Sequence, residues 1–252
     1  MAQPVAIITG AASGIGAETA RQLAARGWRV VINYRSSLAA AEGVAAQCAK
    51  LGGEAIAIKA DVADDAACKA LVKATLEKFG RIDALMNNAG ETKVAPASDL
   101  DALSGEDFLR LYQNNVVSVY QMTRAAAAAL GESGQGSVVN IGSRAGVTGG
   151  GTSTAYAASK AAVHTLTKSL ARVLGPKVRV NCVSPGYVDT PWHVRGRGQE
   201  QADKAKAAAV ARAALKKVAG PAEIAEMCVL LLTGAGAMTG EVVFIDAGAH
   251  LA

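Results

Sequence analysis

Aromatic side chains are scarce in this 252-residue chain, which has two Trp, five Tyr and three Phe. None interleaves with the densest basic segment, residues 195–217, so the stacking platform that single-stranded nucleic acid needs is missing. The formal net charge is +5, yet that segment reads as the solvated face of an Ala-rich helix, and no nucleic-acid partner is expected. Cysteine is sparse too. Cys48, Cys68, Cys182 and Cys228 stand far apart in apolar surroundings, which fits neither metal-ligand spacing nor a disulfide framework. They read as reduced, buried thiols of a cytoplasmic protein. The three histidines, His164, His193 and His250, form no cluster, so no metal is expected. Long hydrophobic runs are absent as well. The uncharged stretch 227–239 is too short to cross a bilayer and is broken by Gly, and no membrane partner is expected. No secretory leader is expected before "VAIITG", because Pro4 and Val5 already begin a strand-like run.

What remains is a globular composition, 51% hydrophobic and 19% charged, with enough apolar residues for a large core. Short apolar runs at residues 5–9, 29–33, 55–60, 84–87, 137–141, 178–183 and 242–245 read as strands. Residues 14–26, 38–50, 64–79, 104–130, 154–174 and 221–232 read as helices between them. Strict alternation of this kind predicts an α/β fold of Rossmann type: a doubly wound, parallel, seven-stranded sheet with helices on both faces. No linker or composition break splits the chain, so residues 1–252 are expected to form a single domain. The exception to the alternation is residues 187–219, rich in Gly, Arg, Gln and Lys, which read as a substrate lid near the strands' carboxyl ends, with Trp192 and His193 at its root and with Arg195 and Arg197 either at the surface or as contacts for an anionic substrate.

The first strand runs into "TGAASGIG", with Gly10, Gly14 and Gly16. A glycine-rich turn between a first strand and a first helix lets the backbone approach a pyrophosphate, and the helix N-terminus offers it free N–H groups. The spacing lacks the Lys of a phosphate-binding nucleotidase loop, so a kinase or ATPase is disfavoured. The second strand ends "VVINYRSS". An NAD-binding strand would carry an acid near this point for the ribose hydroxyls. Here Arg35 offers a fork to a 2′-phosphate and Ser36 a hydroxyl, which favours NADP(H), with NAD(H) as the alternative if Arg35 only stacks on adenine.

Tyr156 and Lys160 lie four apart in "STAYAASKAAVHTL", a phenol and an ammonium on one helix face. Spacing alone settles nothing, since an exposed i,i+4 pair adds only ~0.2–0.5 kcal/mol to a helix. Their company matters more. Upstream, "VVNIGS" ends a buried strand at Ser143, and the Gly-rich loop "RAGVTGGGTSTA" follows. "NNAG" closes the fourth strand, Asn114 and Asn115 sit where an apolar helix face would be cheaper, and "NCVSPGYVDT" follows the sixth strand.

In that order, "TGAASGIG", the "DV" of Asp61 and Val62, "NNAG", Asn115, Ser143, Tyr156 with Lys160, and "PGYVDT" resemble the classical short-chain dehydrogenases/reductases over nearly the whole chain. The resemblance implies an oxidoreductase that moves a hydride between a nicotinamide and a carbonyl or secondary alcohol. Tyr156 would exchange the proton with the substrate oxygen, and Ser143 would hold that oxygen. Lys160 would bind the nicotinamide ribose and lower the pKa of Tyr156. Asn115 would hold a water that links Lys160 to solvent. Cofactor contacts would come from Gly10, Ser13, Gly14, Ile15 and Gly16, then from Tyr34, Arg35 and Ser36. Asp61 would meet the adenine amino group with Val62 beside the ring, unless Asp61 is the N-cap of the next helix. Asn88 and Gly90 would line the adenine-ribose side, Val188 and Thr190 would hold the carboxamide, and Ala89, Pro185 and Gly186 would be further cofactor contacts. Ser143 as a plain strand end and Asn115 as a paired core amide stay open.

The expected partner is a small carbonyl or alcohol. A 3-oxoacyl-[acyl-carrier-protein] reductase is the specific alternative, with Arg172 placed to meet an acidic carrier. A non-catalytic NADP(H)-binding regulator is the less favoured one. Small residues in helices 104–130 and 154–174, including Ala125 to Ala129, imply a homo-oligomer, dimer or tetramer.

Overall fold

The computed structural model describes residues 3–251, without the side chains of residues 195–197. Among them, seven parallel strands form one sheet in the order β3-β2-β1-β4-β5-β6-β7. They are β1 (Val5–Ile8), β2 (Arg29–Tyr34), β3 (Ala55–Lys59), β4 (Ala84–Asn87), β5 (Gly136–Ile141), β6 (Val178–Pro185) and β7 (Val242–Ile245). Alternate side chains leave a strand on opposite faces, so an all-apolar strand needs cover on both. Ala6, Ile8, Val30 and Ile32 enter one cluster, with Ala20 and Leu23 of α1 (Gly14–Ala24), Val44 of α2 (Leu38–Lys50) and Ile224 of α10 (Pro221–Thr233). Val5, Ile7, Val31 and Leu85 enter the other, with Leu71 of α3 (Asp65–Phe79), Met122 of α5 (Ser118–Glu132) and Leu170 of α7 (Thr154–Leu174). The chain reverses its order of strand addition between β1 and β4, which opens a crevice at their carboxyl ends.

The helix expected over residues 104–130 is interrupted. α4 (Gly105–Tyr112) and α5 are joined by a π-helical turn, Gln113–Val117. Side chains there compete for backbone partners: Asn114 Nδ2 donates to Arg110 O at 2.9 Å, and Ser118 Oγ donates to Asn114 O at 2.7 Å. The wider turn carries Asn115. The loop after Ser143 is also not fully flexible. Ser143 Oγ accepts from Ala145 N at the start of the short α6 (Ala145–Thr148), which Gly149 ends at φ +70°. Residues 187–219 hold α8 (Pro191–Arg197) and α9 (Gln199–Arg212).

A buried polar ladder ties the sheet to its helices beneath the crevice. Asn87 Nδ2 donates to Thr123 Oγ1 at 3.0 Å and to Asn140 Oδ1 at 2.9 Å. Asn140 Nδ2 donates to Thr167 Oγ1 at 2.9 Å. β4, β5, α5 and α7 are thereby fixed to one another. Asn140→Ala would break both of its bonds in a site that water does not reach. The expected cost is about 1–3 kcal/mol, seen as a lower urea midpoint with an unchanged slope.

Candidate active site

The crevice is a cavity of about 670 Å³. Its floor is the turn after β1. Gly10 and Gly14 adopt φ +61° and +59°, conformations that a side chain would strain. A Cβ on Gly10 would also lie 3.0 Å from Ala89 Cα. Gly16 does not line the cavity. It lies against Asn88, where a Cβ would fall 2.6 Å from Nδ2, so its smallness seats α1 on the end of β4. Asn88 in turn donates to Thr9 O and Gly10 O at 2.9 and 3.1 Å, which holds the turn open. The N-terminus of α1 has no side-chain cap from Ser13 and no acid in its first turn, so it is free to take an anion. Tyr34, Arg35, Ser36, Asp61 and Val62 form one end of the cavity, and Ala89, Gly90, Pro185, Gly186, Val188 and Thr190 line its course. A glycine cradle beside an uncapped helix start fits the diphosphate of a dinucleotide.

Asp61 is not the helix N-cap. Asp64 holds that position and accepts from Ala66 N and Ala67 N, while Asp61 accepts from Ala63 N at 3.0 Å and stays exposed at the cavity edge.

At the other end, α7 presents Tyr156 and Lys160 to the carboxyl end of β5. Its first turn is capped by Ser153, whose Oγ accepts from Tyr156 N at 3.3 Å. Lys160 is 5% exposed, and its Nζ donates to Ile141 O at 2.8 Å. Burial lowers its pKa to about 8. Tyr156 meets the cavity on one side and protein on the others. Burial pushes its phenol up to about 12, partly offset by a hydrogen bond with Ser143. The lowering expected at Tyr156 belongs to Lys160 together with an oxidised nicotinamide. The ammonium lies over the Tyr156 ring, 5.7 Å from its centroid, and is bound to Ile141 O.

Asn115 is 1% exposed and does not reach the cavity wall. Its Oδ1 accepts from Glu91 N at 2.8 Å, and its Nδ2 donates to Glu91 O at 2.9 Å and Ser159 Oγ at 3.0 Å. It binds the strand-end loop to α7 and sits behind Gly90, where an added Cβ would lie 3.1 Å from its Oδ1 and 3.8 Å from Lys160 Nζ.

Sequence reasoning missed part of the wall. Arg144, Thr152, Arg212, Asp246 and Ala249 line it too. Asp246 and Ala249 arrive only because β7 pairs with β6 in register, Pro185 beside Ile245. No local motif announces that. Trp192 and His193, expected at the root of the lid, line the cavity, and α9 adds Ala205, Ala208 and Ala209. Arg195 and Arg197, set as possible contacts for an anionic substrate, lie outside the described side chains.

Comparison with known proteins decides the family. A family model described as "Enoyl-(Acyl carrier protein) reductase" matches residues 10–250. The chain is a classical short-chain dehydrogenase/reductase. Within that family it is similar to the 3-oxoacyl-[acyl-carrier-protein] reductase of Synechocystis sp., 41% identical over 187 residues that cover 74% of each chain. A crystal structure from Burkholderia xenovorans superposes with a TM-score of 0.93, at 43% identity over 100% of both chains. A short-chain dehydrogenase from Burkholderia cenocepacia, solved in complex with NADP, gives 0.87 at 35% identity, covering 98% of this chain and 97% of that one. Members of this family are oxidoreductases acting on CH–OH and C=O groups, and this dehydrogenase/reductase shares their NAD(P)-binding Rossmann fold.

The buried ammonium should be visible in stability. Unfolded Lys keeps its proton to about pH 10.5, whereas folded Lys160 gives it up near 8. Between those values the unfolded chain holds more protons, so stability attributable to Lys160 rises with pH across the window. Lys160→Met is thus expected to be more stable than wild type at pH 7 by about 1–3 kcal/mol, with the gain shrinking towards pH 10. Urea unfolding of both proteins at the two pH values checks it.

Proposed function

We propose that this protein is an NADP(H)-dependent carbonyl reductase or alcohol dehydrogenase in which Tyr156 exchanges the proton. The observation that carries this reading is the convergence of Ser143, Tyr156 and Lys160 on one end of the cavity whose other end holds Arg35 and Ser36. When bound, the nicotinamide supplies the hydride. The chain does the rest. The Ser143 hydroxyl donates to the substrate carbonyl oxygen and sets it against Tyr156. Tyr156 passes its proton to that oxygen in reduction and takes it back in oxidation. Lys160, held by Ile141 O, keeps a positive charge next to the phenol and so favours its ionised form, against the desolvation that opposes it. Asn115 fixes the distance between α7 and the loop at Glu91. α8 and α9 act as a lid, with Trp192 covering the substrate and excluding water.

Arg35 supports the phosphorylated cofactor. It is exposed, and among the described residues it has no acidic partner within ion-pair distance. Asp61, across the same end of the cavity, is occupied by Ala63 N. A second reading, reduction of a 3-oxoacyl group on an acyl carrier protein, is favoured by the Synechocystis relative and by exposed Arg172 on α7. A carrier-linked substrate turned over far better than the same acyl group on a short thiol would select it. Phe108, Leu109, Tyr112 and Tyr120 are exposed along α4 and α5, which supports a homo-oligomer through that face. Four free, buried cysteines fit a reducing, cytoplasmic setting.

The test is a panel of ketones and secondary alcohols run with both cofactors. Turnover with kcat/KM for NADPH at least about tenfold above NADH is expected. Arg35→Asp should reverse the order, since removing one charge-assisted contact and adding a repulsive acid is worth about 2–3 kcal/mol in all. A ratio at or below one in the wild type contradicts the cofactor assignment, and no turnover with any member contradicts the reaction.

A further inference from the structure

The polar face of α7 does not stop at Lys160. One turn on, His164 is 7% exposed and reaches the same strand end. Its Nε2 is 2.7 Å from Ser184 Oγ on β6, and its ring meets Phe244 of β7 edge-on, with centroids 6.1 Å apart. The ring fills the space under the loop that carries Ser143. An added Cβ on Gly142 would lie 2.7 Å from His164 Nε2, and one on Gly146 would lie 2.8 Å from Cε1. Gly142 precedes Ser143 directly, and Gly146 N donates to Ser143 O at 3.0 Å. Neither glycine has a positive φ. Their smallness therefore answers to close approach: Ser184 Oγ, Cys182 Sγ and the imidazole crowd Gly142, and the α7 backbone at Lys160 and Ala161 together with the imidazole crowds Gly146, so the ring is the one side chain that meets both.

The geometry points to His164 as a positioning residue for Ser143: clamped to Ser184, its ring sets the backbone on both sides of that serine and so the direction of its hydroxyl. This rests on the role given above to Ser143. The three residues at i, i+4 and i+8 of α7 then act on successive parts of one strand end. Tyr156 adjoins the Ser143 side chain, Lys160 holds Ile141 O, and His164 backs Gly142 and Gly146. The ring works as a neutral group. Burial, with Lys160 and Lys168 nearby, lowers its pKa to about 4, and the buried Cys182 thiol beside Ser184 stays protonated.

Two variants of similar volume separate clamp from filler. His164→Gln keeps an amide that can bond Ser184, whereas His164→Leu fills the space without that bond. His164→Leu should lose about 10- to 100-fold in kcat, as misplaced catalytic groups do, with the NADPH dissociation constant by fluorescence within about twofold of wild type. His164→Gln should recover most of the loss. Because the loss acts through Ser143, the pair Ser143→Ala/His164→Leu should be no more than about twofold slower than Ser143→Ala alone. Equal kcat for the Leu and Gln variants, or losses that multiply in full in the pair, overturn the inference. Undiminished kcat in Ser143→Ala overturns instead the role of Ser143, and is read from that variant alone.

Discussion

The site depends on one costly placement: a half-buried phenol and a buried ammonium one turn apart on α7, against the carboxyl end of β5. Neither group gains from burial. The Tyr156 phenol is pushed up and the Lys160 ammonium down, each away from its charged form. A single backbone carbonyl, Ile141 O, takes the ammonium at 2.8 Å. Folding must supply the remainder from elsewhere, as active sites commonly require.

Much of that supply is the sheet. Five of its strands have cores that are fully buried at nearly every position, and both faces are covered by helices. The Asn87–Asn140–Thr167 ladder then sets α7 against β4 and β5 below the site. Asn115 repeats the device one layer higher, joining Glu91 to Ser159 on α7. The cavity is thus shaped by groups that never touch its contents.

The fold was largely legible because doubly buried strands and amphipathic helices leave different periods in the sequence. Residues 84–87 and 242–245 were read with both ends as observed. Gly10 and Gly14 were legible because only glycine suits their φ, and Arg35 was read at the end of β2, where it lines the cavity. Other features were hidden. The π-helical turn at Asn115 arises from local side-chain bonding that helical periodicity does not register. The packing of Gly16 against Asn88 was not legible either, because it is set by the end of a strand some seventy residues away. Asp246 reaches the cavity across a pairing between strands some sixty residues apart, and the depressed basicity of Lys160 follows from burial that no spacing rule reports.

The most direct measurement is Tyr156→Phe, which removes one oxygen and leaves the ring's packing in place. Single-turnover oxidation of NADPH with the best carbonyl substrate should slow by about 10²–10⁴, the range for a positioned acid, while NADPH binds as tightly as before. Turnover at the wild-type rate in that variant would contradict the assignment of the proton to this phenol.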